Sequence, residues 1–214
     1  MWITPNWLNK QAIQSRIAQN NRLFVSDGVY LVTKSPERII QNSITLFKEK
    51  GFNATSVNDI ATATGMLKGS LYNHFKGKEE ILKKVIETVE LSFFEYIKIN
   101  DNKDVQEILK WTAQFFLDNE CCLLANLLNE KLPEEAKNDV VGFFQRWKDK
   151  IVIAMDDLIP LDKKKSFAQD VIVAFEGGII MKRIEGSNEP IERYLERLNR
   201  LYDQLKLEAN PNAA

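Results

Sequence analysis

Histidine occurs once in this sequence, at position 74, and cysteine only as the adjacent pair Cys121 and Cys122. A lone histidine excludes the clustered imidazoles of most zinc sites, and no motif marks it as part of a Ser-His-Asp set. Vicinal cysteines strain a disulfide with each other and build no disulfide framework, which points to a reducing compartment. Glycine (9) and proline (6) are sparse among 214 residues, so long helices are easier to fit than many tight turns. No apolar run approaches the roughly 20 residues of a membrane span. The start of the chain lacks a basic segment followed by an apolar one, so no secretory signal is expected, and the expectation is a cytoplasmic protein. Neither sign of charge dominates, with 29 Lys+Arg against 30 Asp+Glu. That balance hides an asymmetry. Residues 34–87 carry nine Lys/Arg and six Asp/Glu, whereas residues 88–214 carry 17 and 23. A mildly basic front on an acidic body hints at a nucleic-acid-facing end, or is ordinary surface charge.

What is present is a hydrophobic fraction of 44%, enough for a core, arranged from Ser35 onward with helical spacing. Residues 1–33 admit three readings: a flexible arm, a helix over 6–21 packed on the body, or translation from a start upstream of the natural one. Residues 26–32 look like a turn and a short extended run. Ser35 and Pro36 suit a helix start, Ile39, Ile40, Ile44 and Phe47 share a face, and Gly51 ends the helix. Ser56 with Asp59 three residues on resembles a capping box. A longer helix is expected over 78–97, then a break at 100–104, then helices near 104–118, 121–131, 134–158, 164–186 and 190–207. Pro133, Pro160 and Pro190 fall at breaks or first turns. No strand-like alternation follows residue 33.

The stretch from Val57 to Leu82, VNDIATATGMLKGSLYNHFKGKEEIL, holds two short helical patterns, near 57–63 and 67–74, around Gly65. A glycine supplies the positive φ that a sharp turn between helices demands, and the pair forms a helix-turn-helix. Ile60, Ala61, Leu71 and Phe75 are expected inside. The outward face of the second helix is Lys68, Gly69, Ser70, Asn73 and His74, short or hydrogen-bonding groups suited to base edges in a major groove. Thr55, Ser56, Tyr72, Lys76 and Lys78 surround it as candidate phosphate contacts. The solitary His74 suits packing or a phosphate contact rather than catalysis.

Residues 55–82 closely resemble the DNA-binding domain of TetR-family (TetR/AcrR-type) transcriptional regulators. The matching residues are Thr55, Ile60, Ala61, Gly65, Lys68, Gly69, Leu71, Tyr72, His74, Phe75, Lys78, Glu79 and Leu82. With the helix before it, the resemblance covers about residues 36–89. It implies a phosphate contact for Tyr72. Two residues depart from the pattern: Thr64 stands where the family usually has Ala, and Leu67 where a capping Ser is usual. The long N-terminal extension departs as well.

The resemblance implies an all-α fold: an N-terminal three-helix helix-turn-helix DNA-binding domain, placed at 34–80, and a C-terminal helical ligand-binding and dimerisation domain, placed at 81–207. An uncertain extension (1–33) and a disordered tail (208–214) flank them. Candidates for the dimer interface are Val171, Ala174, Phe175 and Gly178 on the penultimate helix and Ile191, Tyr194, Leu195, Leu198, Leu201 and Tyr202 on the last; packing inside one subunit is the alternative. Trp111, Phe115, Phe116, Phe143, Phe144, Trp147 and Phe167 either line an apolar pocket or are plain core. Cys121 and Cys122 are either sensing thiols or small buried apolar groups. No cofactor and no metal are expected. The expected partners are double-stranded DNA, a second copy of the chain and a small apolar or aromatic effector, with no membrane. The expected function is that of a ligand-responsive transcriptional repressor, bound as a homodimer to a palindromic operator and released by the effector. A protein of this fold acting without a ligand, as activator or chromosome organiser, is one alternative; a helical enzyme is another, opposed by the absence of catalytic motifs.

Overall fold

The structure is a computed structural model, and it describes residues 35–98 and 104–210. The expectations for residues 1–33, and most of the break at 100–104, lie outside the described residues. Nine α-helices are found among the described residues: α1 (Ser35–Lys50), α2 (Val57–Thr64), α3 (Lys68–Tyr72), α4 (Lys78–Tyr96), α5 (Val105–Asp118), α6 (Leu123–Leu127), α7 (Glu134–Ala154), α8 (Leu161–Glu185) and α9 (Glu189–Ala209).

Local chemistry accounts for the head formed by α1 to α3 and the start of α4. Ile39 and Phe47 on α1 are buried, and Gly51, at φ 83°, stops the helix in the left-handed region. Phe52 then folds back edge-on to Phe47, ring centroids 5.5 Å apart. At the start of α2 the capping box is complete: Ser56 Oγ accepts from the Asp59 amide at 3.1 Å, and the Asp59 carboxylate accepts from the Ser56 amide at 2.8 Å. Gly65, at φ 65°, closes α2, and the Gly65 and Met66 amides return to the Thr62 and Ala61 carbonyls. Helix α3 has no side-chain cap, because Leu67 stands at its N-cap. It is held by Leu71, which is fully buried.

Helix α4 leaves this head and enters the body, where Phe93 packs among Phe115, Phe143 and Trp147 at ring distances of 4.8–5.3 Å. Helices α5, α7, α8 and α9 pack with it into one continuous core. Lys182 on α8 caps the end of α5, its ammonium donating to the carbonyls of Phe116, Leu117 and Asn119 at 2.6–3.2 Å.

Several boundaries differ from the sequence expectation. The helix expected over 121–131 shrinks to Leu123–Leu127. The one expected to reach 158 ends at Ala154, because the Asp156 carboxylate accepts from the Leu158 amide and folds the chain into a turn. The next begins at Leu161, directly after Pro160, three residues earlier than expected. Helix α9 runs through Ala209, into the segment expected as tail, whose last four residues lie outside the described ones.

Candidate nucleic-acid interface

The two short helices of the head deliver one coherent surface. Lys68, Gly69, Tyr72, Asn73, His74 and Lys76 are exposed, and Ser70 is half-buried, around the buried anchor Leu71. A Cβ added to Gly69 would meet nothing within 4 Å, so no neighbour inside the chain calls for a glycine there. Leu67, 80% exposed, projects beside this face. The sequence marked Leu67 only as a missing cap; helical periodicity could not reveal its exposed apolar side chain, since it precedes the helix.

Three of the candidate phosphate contacts have partners inside the chain. Thr55 is 1% exposed and its hydroxyl donates to the Gly51 carbonyl at 2.6 Å, so it is a turn residue rather than a surface donor. The Ser56 hydroxyl, though exposed, is committed to Asp59 as donor (2.5 Å) and as acceptor. The Asp59 carboxyl is held below its ordinary range by these Ser56 bonds, with Lys50 adding to the effect. Lys78 turns inward: its ammonium donates to the Phe52 carbonyl at 2.7 Å and sits 4.1 Å above the centre of the Phe52 ring. Thr64, one of the two departures from the family pattern, is buried and shares its hydroxyl between the Ile60 and Ala61 carbonyls (2.8 and 2.9 Å), so the extra polar group is satisfied.

In the body, Phe115, Phe116, Phe143, Phe144 and Trp147 come together with Phe93, Phe94 and Phe175 in one ring cluster. Trp111 joins at its rim through Tyr96. Phe167 does not belong to it and pairs instead with Tyr202. A surface hollow of about 520 Å³ lies elsewhere, lined by Val152, Ile153, Asp157, Leu158, Ile159, Pro160, Leu161 and Lys164, and includes none of the candidate pocket aromatics. Four buried side-chain polar atoms of the body, among the described residues, lack hydrogen-bond partners: the Trp147 indole nitrogen, Glu176 Oε1, Arg193 Nε and Asn199 Oδ1. Burial raises the Glu176 carboxyl to about 7, and the same burial, with Glu176 alongside, pushes the Cys122 thiol well above its ordinary value. A thiol so shifted favours its protonated, poorly nucleophilic form at neutral pH.

The candidate dimer residues divide. Val171, Phe175, Ile191, Leu198 and Tyr202 are at most 6% exposed within one chain, where they pack α8 and α9 on the body. Gly178 serves the same purpose: a Cβ there would lie 2.8 Å from Ile191 Cδ1, so the close approach it permits is that of α9 in its own subunit. Ala174 is also buried, while Tyr194, Leu195 and Leu201 are half-buried. Beyond Leu161 at its start, the exposed large apolar side chains of α8 are Val173, Ile180 and Ile184, 58–71% exposed, aligned with Gly177 at spacings of four, three and four residues. Sequence reading missed Val173 and Ile180 because α8 is apolar around most of its circumference, so periodicity singles out no face.

Comparison with known proteins places this geometry. Residues 39–85 match the family described as bacterial regulatory proteins, tetR family. The chain is 36% identical over 84 residues to the biofilm operon icaADBC HTH-type negative transcriptional regulator IcaR of Staphylococcus epidermidis, a match spanning 38% of this chain and 45% of that protein. It is 24% identical over 173 residues to the HTH-type transcriptional repressor DhaR of Mycobacterium sp., spanning 74% of this chain and 87% of that one. In three dimensions it is similar to a TetR transcriptional regulator from Legionella pneumophila, with a TM-score of 0.70 at 22% identity, over 80% of this chain and 98% of the other. Residues 39–85 thus match the domain of bacterial regulatory proteins, tetR family, and over 80% of the chain the fold is similar to that of a TetR transcriptional regulator.

Proposed function

We propose that this chain is a ligand-responsive transcriptional repressor that binds a palindromic operator as a homodimer. The observation that carries the reading is the face of α3. Lys68, Gly69, Tyr72, Asn73 and His74 stand exposed around one buried leucine, with a glycine that nothing inside the chain requires. In a major groove this arrangement lets the backbone come close at Gly69, presents Asn73 to base edges and gives Leu67 a thymine methyl to touch. Tyr72, Lys68 and Lys76 reach phosphates and fix the register. Thr55, Ser56 and Lys78 have no part in this interface except as its scaffold.

The dimer forms through the outward stripe Val173, Gly177, Ile180 and Ile184, with Tyr194, Leu195 and Leu201 beside it. Gly177, like Gly69, has no neighbour in its own chain, and it leaves room for a partner helix. A two-fold pair sets two copies of α3 into successive major grooves about 34 Å apart. The effector is small and apolar or aromatic, and acts at the ring cluster. Phe93 belongs both to that cluster and to α4, whose first residue, Lys78, grips the head through Phe52. A displacement among the rings therefore moves the rod on which the head is mounted, and a coupling of about 1–3 kcal/mol is enough to release the operator.

The test is binding selection from random-sequence DNA with the full chain, followed by affinity for the winning site across a salt series. The expected outcome is a palindromic site bound by two chains, with affinity falling steeply as salt rises. Absence of any enriched sequence would refute the reading.

A further inference from the structure

The turn at 51–53, which joins α1 to the helix-turn-helix, is gripped from two sides. From the regulatory domain, Glu130 reaches it from just beyond α6. Its Oε1 accepts from the Phe52 amide at 2.8 Å and its Oε2 from the Asn53 amide at 2.7 Å. From α4, Lys78 donates to the Phe52 carbonyl at 2.7 Å and covers the Phe52 ring. The peptide units around Phe52 are thus polarised, with a carboxylate on the N–H side and an ammonium on the C=O side, an arrangement in which each hydrogen bond strengthens the other. Two successive amides following a left-handed residue form a small anion-binding concavity, and Gly51, at φ 83°, creates it. A Cβ on Gly51 would stand 2.9 Å from Glu130 Oε1, so the glycine also leaves the carboxylate its space.

The residues next along the chain are the ones that locate the reading face. Thr55 hangs its hydroxyl on the Gly51 carbonyl, its amide bonds the Phe52 carbonyl at 3.2 Å, and Ser56 caps α2. We infer that Glu130 is a positioning residue for the DNA-reading head: it clasps the turn at 51–53 from the regulatory domain and so fixes the tilt of α2 and α3 relative to the body. The clasp is a second connection beside α4. It belongs to the segment between α5 and α7, which also carries Cys122 beside the half-buried Glu176, so a rearrangement there withdraws the carboxylate from the head. The operator arm of this inference rests on the repressor reading; the clasp itself does not.

The experiment compares the full chain with Glu130→Gln and Glu130→Ala. Glu135→Gln serves as a control that removes a neighbouring carboxylate, paired with Lys83, without touching the turn. Amide hydrogen exchange at Phe52 and Asn53 is read alongside the distance distribution between spin labels on the exposed positions 63 and 149, in a background lacking both native cysteines. Expected for Glu130→Ala is exchange at least ten-fold faster at those two amides, a broader head-to-body distribution and at least ten-fold weaker operator binding, with an unchanged melting temperature. Glu130→Gln, which keeps one acceptor, falls between, and Glu135→Gln matches the native chain. Unchanged exchange overturns the clasp. Faster exchange with an unchanged distance distribution, or with unchanged operator affinity in a chain that binds a selected site, overturns the positioning role. A native chain that selects no DNA sequence refutes the repressor reading, while the exchange and distance measurements still decide the clasp.

Discussion

Replacing Glu176 by Gln tests how the body tolerates a buried acid. The carboxyl sits on α8 with one oxygen lacking any partner and the other side of the group facing the Cys122 thiol. Burial raises it from an ordinary 4.5 to about 7. Below pH 4.5 the group is protonated in both folded and unfolded chains and contributes no pH dependence. Between 4.5 and about 7 the unfolded chain gives up this proton while the folded chain retains it, so stability from this group falls as pH rises, and it levels off above 7. The full gap corresponds to about 3 kcal/mol. Glutamine keeps the shape and cannot ionise, so Glu176→Gln is expected to match the native chain near pH 4.5 and to exceed it by up to about 3 kcal/mol at pH 8. Urea unfolding of both chains at half-unit steps from pH 4.5 to 8 measures this directly, because titrations common to both cancel in the difference. Two parallel pH curves would refute the reasoning, as would a native chain gaining on the variant toward pH 8.

Lys76→Ala is expected to weaken binding to all DNA sequences alike and to lower the slope of log affinity against log salt by about one, whereas Asn73→Ala should relax base preference at a cost of about 1–3 kcal/mol, both measured on the selected site. Ile180→Glu should yield a folded monomer by light scattering, while Phe175→Ala should destabilise each subunit by about 3–5 kcal/mol in urea; a monomeric, undiminished Phe175→Ala chain would reverse the assignment of the two faces of α8. Leu67→Ser supplies the absent cap and should slow amide exchange in α3, by an amount corresponding to about 1 kcal/mol.

The head was legible because its structure is written in local chemistry. Ser56 with Asp59, Gly65 and the small Ala61 each act over a few residues, and spacing alone announces them. What escaped was decided over long distances. Nothing near Lys78 in sequence says that its ammonium turns to Phe52, 26 positions earlier, nor that Glu130 crosses to the same turn from 78 positions away. Thr55 matches a pattern whose spacing marks it for the interface, yet burial turns its hydroxyl to Gly51. Helix α8 shows the other limit. Apolar side chains on both faces give no period to read, so the inner set of Phe175 and Gly178 and the outer set of Val173 and Ile180 separate only once α9 is packed against one of them.

Helix α3 spans five residues and is secured by Leu71 alone, with no side-chain cap at its entry. The side chains that face outward therefore carry almost none of the fold's stability. On the proposed reading, exchanging the exposed Lys68 or Asn73 for other polar residues changes what is read while leaving what is folded nearly untouched, since exposed substitutions away from caps and cores typically shift stability by no more than about 0.5 kcal/mol. If α3 reads DNA as proposed, such a head is easily re-addressed over generations: new target sites are reached by single replacements, each viable on its own, with one leucine as the fixed point around which recognition drifts.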